Sequence, residues 1–124
     1  MLRMSEANDT NAQALQHMLT SPCVDWSGLS RAIADEVNDL LGGAQSVLLI
    51  DESAMAKKGQ ASAGVARQWN GRLGKVDNSQ VGVYAALCQG EMACLFSTRL
   101  YLPKRWVDDA ARCERAAIPK AAQV

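Results

Sequence analysis

The sequence predicts a mixed α/β fold in which N-terminal helices precede three antiparallel strands. Three observations predict it. Residues 26–41 carry an apolar stripe at helical period, formed by Leu29, Ile33, Val37, Leu40 and Leu41. Residues 47–50 are four consecutive aliphatics, the pattern of a strand buried on both faces. Two further apolar runs, 81–87 and 93–102, flank a Gln89-Gly90 turn as the arms of a β-hairpin. At 124 residues the chain has the length of one small domain with room for a core.

Residues 1–10 are polar and are expected to fray. Asp9 or Thr10 is the candidate cap of a short helix with Leu15, Met18 and Leu19 on one side, and Ser21-Pro22 stops it. Asp25 is the expected cap of the 26–41 helix, and Gly42-Gly43 supplies the left-handed residue that ends it. The stripe of that helix is read as core. The strand at 46–51 is read as ending on two acids, Asp51 and Glu52. Carboxylates at the end of a buried strand are costly unless exposed, paired or metal-bound. Two readings stand for Asp51: a functional carboxylate, or a turn cap helped by Ser53. Residues 53–80, with Gly59, Gly64, Gly71, Gly74 and Asn78, are read as loops and short turns. Pro103 ends the hairpin. A helix is expected over 106–117, with Asp108 and Asp109 in its first turn and Ile118-Pro119 breaking it.

The 13 basic and 13 acidic residues cancel, which excludes a uniformly basic nucleic-acid binder. The cancellation hides an asymmetry. Residues 1–56 hold two basic and eight acidic residues, a net −6, whereas residues 57–76 hold five basic residues and no acid. Those five, Lys57, Lys58, Arg67, Arg72 and Lys75, form a basic segment directly after the acidic pair. It suits a phosphate backbone held beside a metal site, although composition alone favours a solvated loop. Trp69 beside Arg67 and Gln68 is read as the plug of a long loop, with stacking on an unpaired base as the competing role. Trp26 and Trp106 are expected to anchor helices on the sheet. Cys23, Cys88, Cys94 and Cys113 include no C-x-x-C pair, and the single histidine, His17, lies near none of them, so neither a zinc site nor a disulfide framework is expected. No apolar run reaches membrane-spanning length and no secretory signal opens the chain, so a cytoplasmic protein is expected.

Ile50-Asp51-Glu52-Ser53 followed by Lys57-Lys58-Gly59 closely resembles the start of the catalytic domain in bacterial insertion-sequence transposases of the DDE type, the DDE superfamily endonucleases. The resemblance continues through Gly64-Val-Ala-Arg-Gln68, Gly71-Arg-Leu-Gly-Lys75, Asn78, Gln80-Val81 and Val83. It extends to Leu100-Tyr-Leu-Pro-Lys-Arg-Trp106, Asp108-Asp109, Arg112-Cys113 and Ala117-Ile118-Pro119, and covers about residues 12–119. Ala54-Met55 stands where the family usually has Gly-Phe.

The resemblance implies an incomplete RNase H-like fold. Residues 1–43 would be a helical segment, and residues 44–124 the start of the catalytic domain, truncated after its first three antiparallel strands. It implies metal-dependent phosphodiester cleavage and strand transfer on DNA, with three carboxylates holding two Mg²⁺ or Mn²⁺ ions ~3.5–4 Å apart. Asp51 matches the family's first catalytic aspartate and metal ligand, and Glu52 a neighbouring position that is not assigned. Lys57, Lys58, Arg67, Arg72 and Lys75 are the expected DNA contacts. The partners implied are the DNA ends of the element and the full-length transposase. Asp77, Glu91, Asp108, Asp109 and Glu114 match neither the second catalytic aspartate nor the final glutamate. The expectation is a transposase fragment inactive on its own. A non-catalytic fragment that binds DNA or the transposase is the alternative, and a decay product without function the third reading.

Overall fold

The computed structural model describes residues 2–120 and divides the chain into two compact units, residues 1–33 and 34–124. In the first unit, α1 (Leu2–Ala7) forms where the sequence predicts a frayed end. Its end is tied locally. Asn8 Nδ2 donates to the Met4 carbonyl at 2.9 Å, and the Thr10 amide donates to the Ser5 carbonyl at 2.9 Å. α2 (Ala12–Thr20) is capped by Asn11, not by Asp9 or Thr10. The Asn11 side chain accepts from the amides of Gln13 (2.8 Å) and Ala14 (3.2 Å), while Asp9 turns the chain at φ +47°.

α3 (Trp26–Leu41) has the bounds its stripe predicts. Asp25 caps it by accepting the Gly28 amide at 2.9 Å, and Gly43 leaves it at φ +133°. The stripe is core only at Val37 and Leu41; Leu29, Ile33 and Leu40 are exposed.

In the second unit, β3 (Lys75–Gln89) is the spine of an antiparallel four-stranded sheet. β1 (Val47–Ala56) pairs along one edge of it, from Val47 opposite Cys88 to Ala56 opposite Ser79. β2 (Ala66–Asn70) and β4 (Met92–Leu100) pair with its successive halves, at residues 75–79 and 82–89. Helices first and an antiparallel sheet after them agree with a partial RNase H-like fold.

Two expectations about the sheet change. The Val47–Ile50 run is not buried on both faces: its side chains are 45–66% exposed, because β1 is an edge strand with little packed against this end of it. Nor does β1 end on its acids. It continues five residues past Asp51, held extended by the ladder to β3, so Ser53, Ala54 and Met55 lie in strand and not in a turn.

The 53–80 segment is likewise more regular than its glycines suggest, since it contains β2 and the first part of β3. Amide side chains fasten its remaining loop to β3. Asn78 Nδ2 donates to the carbonyls of Lys57 (2.7 Å) and Gly59 (2.8 Å), and Gln80 Nε2 to that of Ala63 (2.7 Å). Buried Asn70 donates to the Ser79 hydroxyl at 2.9 Å.

The core of this unit gathers Ala54, Val65, Ala66, Val81, Trp106 and Cys113. By strand alternation Ala54, Ala66 and Val81 share one face of the sheet, the face the C-terminal segment covers. That segment is two short helices, α4 (Lys104–Val107) and α5 (Ala110–Arg115), where the sequence predicts one. Asp108 ends the first, and Asp109 caps the second by accepting the Arg112 amide at 2.9 Å.

Candidate functional site

Asp51 stands in the middle of β1 opposite Tyr84, exposed, with its Oδ1 accepting the Glu52 amide at 2.8 Å. Glu52 is opposite Val83. Successive strand residues point to opposite faces, so these carboxylates cannot converge on one cation while β1 stays paired. Glu52 shares the face of Ala54 and Val81, toward the core; Asp51 is on the other.

The five expected DNA contacts do not gather around Asp51. Lys57 lies six residues further along, just past β1, and Arg67 is opposite Asn78 on β2, six β3 residues from Tyr84. Either offset corresponds to about 20 Å of extended chain. Lys75 is engaged by Asp77 at 3.1 Å. The Asn78 amide, and then Lys75, hold the Asp77 carboxyl below the usual carboxylate range. Arg72 lies in the turn between β2 and β3.

A different grouping appears where β2 meets the start of the C-terminal segment. A cleft of about 580 Å³ is lined by residues that include Glu52, Arg67, Trp69, Tyr101, Lys104 and Arg105. Trp69 is 60% exposed, so it does not plug the core of a loop. Trp26 is exposed as well. Trp106 does anchor its helix: fully buried, it donates from Nε1 to the Val65 carbonyl at 2.8 Å. Tyr101, Lys104 and Arg105 carry no assigned role in the sequence reading. The available signal is their adjacency, an aromatic shortly before a Lys-Arg pair.

Among the described residues no three His, Cys, Asp or Glu side chains stand close enough to hold a metal ion. The four cysteines are free, Cys113 buried and Cys23 and Cys94 exposed. The described residues of this chain therefore do not fit a two-metal site by themselves. What Asp51 offers is one accessible carboxylate on a rigid strand.

The family model of the DDE superfamily endonucleases matches residues 1–124. The chain belongs to this family. Over 96 residues it is 35% identical to the probable transposase for insertion sequence element IS701 of Microchaete diplosiphon, an alignment that covers 76% of this chain and 25% of that protein. The chain thus spans about a quarter of the length of this relative. No solved structure matches it. No helix among the described residues of this DDE superfamily member is long and apolar enough to cross a membrane.

Proposed function

We propose that this chain supplies the opening strands of a transposase catalytic domain, carrying the first metal-binding carboxylate, Asp51, and part of the DNA-contacting surface. The observation that carries the reading is Asp51, exposed at the centre of β1 within a chain that matches the family throughout. In a complete enzyme of this kind, Asp51 and two further carboxylates would hold Mg²⁺ or Mn²⁺ for phosphodiester chemistry on the DNA ends of an insertion sequence. Among the described residues of the sheet, Asp51 is the one carboxylate on that face, so on this reading the chain contacts DNA through its basic side chains without cutting it. Exposed Arg67 and Lys58, with half-buried Lys57, offer contacts to phosphate as sequence-independent charge.

The experiment uses the purified chain with DNA, first in a gel-shift series of rising salt, then with supercoiled plasmid and Mg²⁺ or Mn²⁺. Binding that weakens steeply with salt, and plasmid that stays supercoiled, are the expected results. Nicking by the chain alone, abolished in Asp51→Asn, would overturn the claim of inactivity. Absence of binding at low salt would remove the DNA-contacting role.

A further inference from the structure

We propose that the cleft between β2 and the start of the C-terminal segment binds an unpaired DNA strand, with bases stacked on Trp69 and Tyr101 and phosphates held by Arg67, Lys104 and Arg105. The inference rests on the DNA-handling role proposed above and adds the form of DNA that this face prefers.

Three observations meet here. The cleft, about 580 Å³, has the volume of a small-molecule site and is open to solvent. Its two aromatic side chains are 60% and 49% exposed, at Trp69 and Tyr101. A large aromatic left in water contributes little to folding, whereas its π-face is available to any unpaired base. Bases within a duplex are already stacked and cannot use it.

The third observation is charge. Three cations line the cleft against one carboxylate, Glu52, among the described lining residues. Each cation keeps donors for a phosphate. Arg105 places Nη2 on the Val65 carbonyl at 3.3 Å, and Arg67 places Nη2 on the Val76 carbonyl at 3.4 Å. A guanidinium has five N–H donors, so these bonds orient each fork and leave the other donors available. Lys104 pairs with Asp108 at 3.3 Å, but both side chains are well exposed, and such a pair exchanges readily for a phosphate. The frame is rigid where it has to be: Tyr101 donates its amide to the Val81 carbonyl at 2.9 Å, and Trp106, one residue after Arg105, is fully buried.

The test measures binding of the full chain to a fluorescent oligothymidylate of about 12 nucleotides, and to a duplex of the same length, at one salt concentration. Trp69→Ala and Tyr101→Ala should each weaken binding of the single strand about tenfold, with Trp69→Phe restoring most of it, while duplex binding changes less than about twofold. Titrating the unaltered chain with the oligothymidylate should quench tryptophan emission, and Trp69→Phe should remove that quench. This second readout decides the matter if an alanine variant fails to fold. Single-strand binding that ignores both aromatics, or no quench, overturns the inference and leaves the DNA-contacting role standing if the duplex binds. No binding to either DNA overturns both.

Discussion

The Val65 carbonyl oxygen accepts from three side chains of the C-terminal segment: Trp106 Nε1 at 2.8 Å, Arg105 Nη2 at 3.3 Å and Arg112 Nη2 at 3.5 Å. Arg112 also lies over the Trp106 ring, 3.8 Å from its centroid. One oxygen thus ties down both α4, which carries Lys104 and Arg105, and α5, which carries Arg112. The arrangement separates two kinds of loss at Trp106. Trp106→Ala removes a fully buried aromatic and should destabilise the chain by about 3–5 kcal/mol. Trp106→Phe keeps most of the volume, and Val65 retains its two arginine donors, so no buried acceptor is orphaned. It should cost about 1–2 kcal/mol. Urea denaturation followed by circular dichroism measures both. Equal losses in the two variants would mean that the indole N–H bond, not the packed ring, holds this corner.

Among the elements, α3 is legible to the residue because every signal agrees: stripe, Asp25 cap and terminal glycines. β3 is legible only over its apolar second half. Its first residues, Lys75 to Gln80, are almost all polar, and the side chains of Asn78 and Gln80 bond to distant loop residues, which no local pattern announces. β2 escapes for the same reason, since Ala-Arg-Gln-Trp-Asn has no apolar face and pairs with β3 through the backbone. Of the site, Asp51 is legible from its motif, whereas the cleft is not, because it joins β2 to residues more than thirty positions away. The glycines of this region also differ in kind. Gly64 (φ +72°) and Gly74 (φ +62°) both require left-handed backbone, but a Cβ at Gly64 would lie 2.7 Å from the Tyr101 carbonyl oxygen, whereas at Gly74 it would meet nothing within 4 Å. Gly74→Ala should therefore cost about 1 kcal/mol from backbone strain alone, and Gly64→Ala about 3 kcal/mol because two backbones must separate as well. Melting temperatures of the two variants check the order. Equal shifts would show that the Tyr101 carbonyl moves aside freely.

At the scale of the whole molecule, the telling feature is an aliphatic edge strand in water. Val47, Leu48, Leu49 and Ile50 are all exposed, and alternation sends Leu48 and Ile50 to one face of the sheet and Val47 and Leu49 to the other. The open edge of β1 adds backbone groups able to pair with another strand. Soluble monomers rarely leave such a surface uncovered. The chain also spans only about a quarter of the IS701 transposase it resembles, so a complete protein of that kind has ample chain to cover it. The isolated chain should associate with rising concentration, seen as growing light scattering, and should enhance the fluorescence of a dye that binds exposed apolar surface. Leu48→Lys together with Leu49→Lys, one substitution on each face, should suppress both effects. Neither side chain is buried, so the melting temperature should hold; a drop of more than a few degrees would mean that these leucines contribute to the fold of the isolated chain. A wild-type chain that stays monomeric and binds no dye would show that β1 is covered in solution, and would sink the claim that its aliphatic edge faces water.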